Sequence, residues 1–408
     1  MTRIHSMEGN RARRAMLMAG SLLAAMAFAS GAGAEPLPLK ICSIDDRSGG
    51  AADTGIESLN GLHMIVDPLN EAGGINGRKI ELVEYDGKTD PQLTATLATR
   101  CAEDDKGLMI IGGSPTAPAA AMVPVANQNK IPFYMLSASA PGLTDSAEFQ
   151  FRFGPRTTQD ALAVGDALAE RGFKRVAIIN NSVPFGIDGS TSVMEVLKEK
   201  GIEVVARETY DVAATDVTPQ VMNLSSANPD VVLVFPYPAD GARVIRSIRQ
   251  MGISVPVVMP RVGLMRAFRE LAAADSNGVL VPSSVDISRP EVKKFFEEYG
   301  AKFGPVAPTP SALQGYDAGT LTIKVLSDAE VQKAIDSGDL AAARQAIRDA
   351  SERLGQFEGL QGQAGTKYQF GPGQHHGAPD KGIFVFTEVA GDGQELVTPD
   401  DAKFRPAQ

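Results

Sequence analysis

The sequence predicts an α/β protein with two lobes, each built around a parallel β-sheet. Short apolar runs alternate with longer segments of helical periodicity, which is typical of parallel sheets covered by helices on both faces. The chain has 408 residues, of which 43% are hydrophobic, and this is enough for two domains of ordinary size. The alternation starts afresh after RFGPRTT, residues 152–158, which we interpret as a linker.

In the first half of the chain, strands and helices are predicted in strict alternation. The strands are predicted at 39–44, 79–86, 107–113 and 131–136. The helices are predicted at 54–72, 91–105 and 120–128. In the first helix Leu62, Val66 and Leu69 recur at helical spacing, whereas Pro68 predicts a kink or an early end of the helix.

The second half repeats this alternation and then changes character. Its helices are predicted at 158–171, 189–200, 218–226, 239–251 and 264–274. Its strands are predicted at 175–180, 203–210, 230–237, 255–260 and 278–284. Further helices are predicted at 290–303, 312–327 and 338–350, and the tail indicates turn-separated strands such as 382–389.

The first 34 residues have the pattern of a secretory signal peptide. A basic region around Arg11, Arg13 and Arg14 precedes an apolar run at 16–29, and AGA at 32–34 offers small residues for cleavage after Ala34. No later segment has the ~18 unbroken apolar residues of a membrane span. We therefore expect an exported, periplasmic and soluble protein, with the general and twin-arginine export routes both open.

The charge of the chain argues against nucleic acid as a partner. The net charge is −10, and residues 1–34 carry four Arg and one Glu, so the rest of the chain carries −13. Binding to nucleic acid needs a basic surface that neutralises phosphates. An acidic surface is typical of a soluble protein, which we expect to be monomeric.

The chain contains two cysteines, Cys42 in the first predicted strand and Cys101 in an early helix. An oxidising compartment favours a disulfide between two such residues. The spacing alone does not decide between a disulfide and two buried thiols, because it does not give the distance between their Cα atoms.

The candidate binding residues follow the predicted strands, because ligands of open parallel sheets bind beyond the carboxyl ends of the strands. In the first half these residues are small or hydroxylated, which exposes backbone N–H groups and adds donors; they are Ser114, Thr116, Ser137, Ala138 and Ser139, with Arg47 at the rim. In the second half they are the aromatic Phe185 and Tyr237 and the cationic Arg261. Helix caps, turn residues and ordinary packing are the alternative roles.

Catalysis and metal binding have little support in the sequence. His63 lies near the apolar face of a helix, and the pair His375 and His376 has no Cys or third ligand at motif spacing. No nucleophile elbow, zinc-protease motif or phosphate loop is present. We expect no enzymatic activity, cofactor or metal; a secreted hydrolase using Ser114 or Ser137 is the alternative from another class.

Over essentially its whole mature length the sequence resembles the periplasmic solute-binding proteins of the branched-chain amino acid type. The segments that carry the resemblance are LNEAGGINGRKIELVEYDGKTDP (69–91), IIGGSPTAPAAAMVPVANQNKIPFYMLSASAPGLT (110–144), FRFGPRTTQDALAVGDAL (151–168) and VLVFPYPADGARVIRSIRQMG (232–252). The resemblance implies a type I periplasmic binding fold: two Rossmann-like lobes joined by a hinge of three crossover strands. It also implies delivery of the ligand to a membrane permease of an ABC importer.

The resemblance also implies lobe boundaries and roles for the candidate residues. The N-terminal lobe is expected to comprise 35–153 and 285–370, and the C-terminal lobe 154–284 and 371–408, after the signal peptide 1–34. In this family, Ser and Thr after first-lobe strands hold the carboxylate of an amino acid, which matches Thr116 and the run Ser137–Ser139. Phe185 and Tyr237 match second-lobe aromatics that contact the ligand.

Arg261 departs from the family pattern. Amino-acid binders place an acidic residue there to pair with the ligand ammonium, and an arginine would repel that ammonium. We therefore expect a small organic or aromatic acid as ligand, with Arg261, and also Arg47, meeting its second polar end. An amino acid or amide ligand of the same family, or a sensor that presents the ligand to a receptor, is the alternative.

Overall fold

Two β-sheets, one in each half of the chain, organise the structure. A computed structural model describes residues 37–146, 148–304, 309–399 and 404–406. The signal peptide predicted at 1–34 lies outside these described residues.

The first sheet has five parallel strands in the order β2-β1-β3-β4-β5. The strands are β1 (Leu39–Asp45), β2 (Ile80–Asp86), β3 (Met109–Gly112), β4 (Phe133–Met135) and β5 (Gln150–Arg152). All but β2 are buried almost throughout, as expected for strands covered on both faces. The predicted linker is shorter than 152–158, because Arg152 ends β5 and Thr157 opens the next helix.

Three helices connect these strands. They are α1 (Ala52–Glu71), α2 (Pro91–Glu103) and α3 (Thr116–Gln128). The Asp90 carboxylate accepts hydrogen bonds from the N–H groups of Gln92 and Leu93, which caps the first turn of α2. The early end expected at Pro68 is wrong, since α1 continues past it to Glu71.

A disulfide joins β1 to α2. Cys42 and Cys101, which are 59 residues apart, are bonded and fully buried. Of the two alternatives that the sequence left open, the structure therefore has the disulfide. It fastens α2 to the centre of the first sheet and closes a long loop, a constraint that acts mainly on the unfolded chain.

The second half contributes five helices and five parallel strands. The helices are α4 (Thr157–Arg171), α5 (Pro184–Glu199), α6 (Thr218–Ser226), α7 (Pro238–Gln250) and α8 (Arg266–Ala272). The strands are β6 (Arg175–Asn181), β7 (Glu203–Tyr210), β8 (Val231–Phe235), β9 (Val257–Val258) and β10 (Val279–Ser283). A single 3₁₀ turn at Arg261–Leu264 follows β9.

The last third of the chain completes both lobes. It forms the helices α9 (Pro290–Phe303), α10 (Pro310–Leu326), α11 (Ala329–Asp336) and α12 (Leu340–Arg353) and the strands β11 (Gln356–Glu358), β12 (Lys367–Gln369), β13 (Val385–Ala390) and β14 (Glu395–Val397). The strands β13 and β14 add antiparallel to the second sheet, giving the order β14-β13-β10-β9-β8-β6-β7. These sheets and their helices confirm the predicted α/β class.

The helix α10 returns to the first lobe and packs very closely on α1. A Cβ atom on Gly61 would lie 2.0 Å from the carbonyl oxygen of Ala312, and one on Gly315 would lie 1.9 Å from that of Ser58. Only glycine permits this approach of two backbones. The contact places Gln314 of α10 behind the carboxyl ends of the first-lobe strands, where it meets Ser137.

The helices in the described part of the chain include none with the length and hydropathy that a membrane span requires. The lobe boundaries at 153/154, 284/285 and 370/371 remain predictions.

Candidate functional site

A pocket lies at the carboxyl end of the second sheet, under the first turns of α4 and α5. In this structure its cavity volume is about 30 Å³, and the space around it, including space open to solvent, is about 530 Å³. Its apolar wall consists of Ala161, Val164, Phe185, Gly189, Val193, Leu233, Phe235, Val258, Pro260 and Pro282. Its polar groups are Thr157, Asp160 and Arg261, together with Ser139 from the first lobe. The pocket therefore joins the two lobes at the strand ends that the sequence predicted.

The apolar wall follows from the pattern of β8 and from one glycine. Leu233 and Phe235 are two residues apart, so they lie on the same face of the strand. A Cβ atom on Gly189 would lie 2.7 Å from Cδ1 of Phe235, so this glycine lets the ring pack directly against α5. Phe185 lies in the first turn of α5 because the helix begins at Pro184, five residues earlier than predicted.

The Arg261 side chain reaches from the second lobe to the first. Its Nη2 atom lies 3.4 Å from Oγ of Ser139, and this is its one hydrogen bond to the described residues. Burial lowers the pKa of the guanidinium, while the negative charge of Asp160 acts in the opposite direction. The group stays protonated, because an arginine pKa starts far above neutrality. It therefore offers unused donors to a bound anion.

Asp160 is a pocket residue that the sequence analysis missed. It lies in the first turns of α4, and among the described residues no donor is within hydrogen-bond distance of its carboxyl group. Burial raises its pKa to about 7, and the positive charge of Arg261 opposes that shift. The candidates were taken from strand ends alone. The N-termini of the helices lie at the same edge of a parallel sheet, so the acidic residue in the first turn of α4 was the available signal in the sequence.

The first-lobe serines use their hydroxyl groups within their own lobe. Ser114 donates to Oδ2 of Asp45 at 2.5 Å, and Ser137 donates to Oε1 of Gln314. The Asp45 carboxyl is buried, and burial raises its pKa to about 7 against the hydrogen bonds from Ser114. In this structure both hydroxyl hydrogens are thus directed to protein acceptors, and the role expected for the two serines in holding a ligand carboxylate stays a prediction.

Three other first-lobe candidates lie nearer to the lobe boundary. Thr116 is the first residue of α3 and is half-buried, and its hydroxyl has no partner among the described residues. Ala138 is fully buried, and Ser139 meets Arg261 and accepts from the backbone N–H of Thr157 at 3.0 Å. Of the first-lobe candidates, the structure brings Ser139 to the pocket wall.

Comparison with known proteins decides the family. The family model described as periplasmic binding protein matches residues 38–394, which is most of the chain. This chain belongs to the periplasmic binding protein family. The predicted membership is thereby confirmed, and the family consists of solute-binding proteins and not of enzymes, as expected.

Two relatives of this periplasmic binding protein carry names that state a ligand. Leu/Ile/Val-binding protein homolog 7 of Brucella melitensis is 26% identical over 358 residues, covering 81% of this chain and 88% of the relative. Leu/Ile/Val-binding protein homolog 4 of Brucella abortus is 32% identical over 231 residues, covering 54% of this chain and 55% of the relative. The chain thus spans about half the length of homolog 4.

Solved structures confirm the type I periplasmic binding fold. A type 1 periplasmic binding protein from Bordetella pertussis aligns with a TM-score of 0.74 and 23% identity, covering 89% of this chain and 99% of that one. The substrate binding protein LivJ from Streptococcus pneumoniae, in complex with isoleucine, aligns with a TM-score of 0.74 and 22% identity, covering 89% and 100%. At these identities the likeness shows the fold alone.

The two second-lobe aromatics form one unit at the edge of the pocket. The rings of Phe185 and Tyr237 stack with centroids 5.8 Å apart, and Tyr237 remains 43% exposed. Phe185 lines the pocket directly, whereas Tyr237 backs it from the solvent side.

Arg47 does not turn toward the pocket. Its Nη1 atom lies 2.8 Å from Oε2 of Glu84, and its Nη2 atom donates to the Glu84 carbonyl at 2.9 Å. Glu84 lies on β2, which flanks β1 on the side away from β3 and β4. Arg47 thus lies in an ion pair with Glu84 of its own lobe.

The histidines also have protein partners. The two ring nitrogens of His63 lie 2.9 Å from Oδ1 of Asp67 and 3.0 Å from Oε1 of Glu84, a structural arrangement. His375 lies between the carbonyl of Gln150 and Glu352. In the part of the chain that the structure describes, no group of three metal-ligating side chains comes together.

Proposed function

We propose that this periplasmic binding protein is the extracytoplasmic solute-capturing component of an ABC importer. It takes up a small carboxylate-bearing solute between its lobes and delivers it to a permease. The family supports the binding role, and the pocket between Ser139 of the first lobe and the second-lobe strand ends supports the place. A ligand that contacts both lobes drives closure, since it binds the closed form better than the open form.

The observation that carries the ligand class is the pair Asp160 and Arg261. The pocket holds one carboxyl and one guanidinium, neither fully partnered, against walls that are otherwise apolar. Opposite charges beside an apolar surface complement a zwitterion with a hydrocarbon side chain. We therefore propose an amino acid, or an amide related to one, as the ligand, a choice that the names of the Leu/Ile/Val-binding relatives also favour.

An organic acid without an ammonium group is the second candidate. It is favoured by Arg261, which occupies the position where the family resemblance leads us to expect an acidic residue. A guanidinium binds a carboxylate through two parallel hydrogen bonds. With Asp160 protonated, as its raised pKa permits near neutrality, the pocket would present a net positive charge to such an acid.

A matched pair of ligands tests the two candidates. Leucine and 4-methylpentanoate share a carbon skeleton and differ in the ammonium group. A ligand at 100 times its Kd adds about 2.7 kcal/mol to the free energy of unfolding. We expect leucine-like compounds to raise the melting temperature more than their deaminated partners.

A larger rise in melting temperature with 4-methylpentanoate than with leucine would favour the organic acid. No stabilisation by a panel of amino acids and carboxylates, aromatic ones included, would contradict the proposed ligand class. Transport and sensing are separated by a second measurement. Ligand-dependent binding of the protein to a reconstituted permease is expected of an importer component, and its absence would favour the ligand-presenting sensor.

A further inference from the structure

Arg152, at the end of β5, is a buried cation. Its side chain is 0% exposed, and none of its three guanidinium nitrogens has a hydrogen-bond partner among the residues that the structure describes. An unpaired buried charge is among the costliest features of a folded chain. Burial lowers the pKa of Arg152 to about 10, so the group is still charged at neutral pH. An anion bound from outside the chain would pair with the guanidinium and remove this cost.

His376 lies directly beside Arg152. Their backbones pair in parallel: the Arg152 N–H donates to the carbonyl of His375 at 2.8 Å, and the Gly377 N–H donates to the carbonyl of Arg152 at 2.9 Å. Paired residues of neighbouring strands direct their side chains to the same face. The imidazole and the guanidinium therefore share one face of the sheet edge.

The ring of His376 has one occupied and one free nitrogen. The Nε2 atom of His376 lies 2.8 Å from Oε1 of Gln159. The side-chain amide nitrogen of Gln159 donates to the carbonyls of Ala378 and Pro379, both at 3.1 Å. The Gln159 oxygen therefore faces the ring, and Nε2 of His376 carries the hydrogen. Its Nδ1 atom is buried without a partner, like the Arg152 nitrogens.

Arg156 adds a second cationic side chain. Its Nη2 atom lies 3.2 Å from Oδ1 of the exposed Asp380, while its Nε is buried and unpartnered. Arg156 and His376 line a polar cleft of about 830 Å³, including space open to solvent, together with Thr144, Asp145, Gly373, Gln374, His375, Ala378, Pro379 and Asp380. Arg152 does not itself line the cleft, but its backbone pairs with His376, which does, so Arg152 lies next to the cleft wall.

We propose that this cluster of Arg152, Arg156 and His376 is a binding site for a small oxyanion of the phosphate or sulfate type. A tetrahedral oxyanion has enough acceptor oxygens for the free nitrogens of both arginines, and a guanidinium matches two of its oxygens at once. Burial and the two arginines lower the pKa of His376 to about 3, so its Nδ1 would become a further donor only when the negative charge of a bound anion raises that pKa. The two aspartates near the cleft are exposed, so solvent screens their repulsion.

The site lies where two segments of the chain pass between the first and the second lobe. Arg152 ends the first sheet, Arg156 precedes α4 of the second lobe, and His376 belongs to the segment between β12 and β13. An oxyanion held by all three would tie two crossing segments together. The site is separate from the Asp160–Arg261 pocket, so it does not depend on the proposed solute.

Thermal unfolding of the mature protein tests the site without any organic ligand. At matched ionic strength, phosphate and sulfate are expected to raise the melting temperature with saturation, whereas chloride is not. The variants Arg156→Gln and His376→Asn keep polar side chains and are expected to raise the Kd for phosphate by about 10-fold, a loss of 1.4 kcal/mol. Arg246→Gln, which changes an exposed arginine of α7, is the control and should leave the Kd unchanged.

Two direct measurements guard against variants that merely fold badly. Phosphate should shift the ring nitrogen resonances of His376 in the unaltered protein and leave those of His63 unshifted. A crystal grown with selenate should show anomalous density beside the Arg152 guanidinium. Stabilisation that is equal in chloride, or an ordered water in place of the selenate, would overturn the proposal.

Discussion

The two walls of the interlobe cleft differ in whether their polar side chains already have hydrogen-bond partners within the protein. On the first-lobe wall, Ser114 and Ser137 give their hydroxyl hydrogens to Asp45 and Gln314 of their own lobe. On the second-lobe wall, Asp160 and Arg261 retain hydrogen-bonding capacity that no residue in the described part of the chain uses. The difference teaches that residue type at a strand end does not decide what a side chain binds; the neighbours behind the strand do.

The first-lobe wall is also held by the disulfide, and its loss should have the largest effect on stability. Closing a loop between residues 59 apart corresponds to about 4 kcal/mol in the free energy of unfolding. We expect the double variant Cys42→Ala, Cys101→Ala to lose about this much in urea unfolding, with ligand affinity little changed. A loss of affinity as large as the loss of stability would show that the first wall shapes the site.

Reversing the charge of Arg261 should have the largest effect on binding. In Arg261→Glu a second carboxylate faces Asp160, and we expect affinity for a carboxylate ligand to fall at least 100-fold, about 3 kcal/mol, by isothermal titration. The variant Arg246→Glu, on the surface of α7, is the matched control. Retained affinity in Arg261→Glu would remove this residue from the site.

Neutralising Asp160 separates the two ligand classes. If the ligand is an amino acid, Asp160→Asn should weaken binding by about 10-fold, since a charged hydrogen bond is worth 1.5–3 kcal/mol. If the ligand is an organic acid, the same variant should bind equally well or better, because a negative charge is gone. Calorimetry with leucine and 4-methylpentanoate in parallel distinguishes these outcomes.

The pH dependence gives an independent check on Asp160. Its folded pKa, about 7, is raised above the ordinary value of 3.8, so its contribution to stability is present at low pH and is lost as pH rises through 7. An amino acid that pairs with the ionised carboxyl should therefore bind more tightly as pH rises from 6 to 8. A flat profile in the unaltered protein, equal to that of Asp160→Asn, would contradict this role.

The smallest effect on binding is expected at the first-lobe serines. Ser137→Ala removes the donor to Gln314 and should cost about 1 kcal/mol of stability, with ligand affinity within a factor of three. Thr116→Ala, which removes a hydroxyl without a described partner, is the matched comparison. A large loss of affinity in Ser137→Ala would show that this hydroxyl changes partner when the lobes close.

Local pattern was enough for most of the fold. The alternation of apolar runs and helical periodicity predicted the order of strands and helices, because burial on both faces imposes that pattern. The short strand β5 and the helix α11 were not predicted; of β5, only Arg152 falls within the predicted linker. Asp328, which caps α11 through the N–H groups of Glu330 and Val331, was the available signal for that helix.

The candidate site divides in the same way. Arg261 and Phe185 could be placed on the pocket wall because strand order brings strand ends to one edge of a sheet. Asp160 could not, since its position depends on how α4 sits over β8 and β9. Likewise, Arg47 pairs with Glu84 because β1 and β2 are neighbours in the sheet. The spacing of residues along the chain does not show which strands are neighbours.

By itself, the sequence determined the α/β architecture, because this depends on periodicity, and four segments that resemble the family pointed to it. The two opposing walls of the cleft were predicted from residue type at strand ends. Only the tertiary structure decided which polar groups remain unused. Ser114 and Arg261 both follow strands, yet Ser114 donates to the buried Asp45 carboxyl, whereas no described carboxylate lies within hydrogen-bond distance of the Arg261 guanidinium. Whether a polar group is free to bind a ligand depends on residues that are distant in the chain and close in the fold, so only the folded structure decides it.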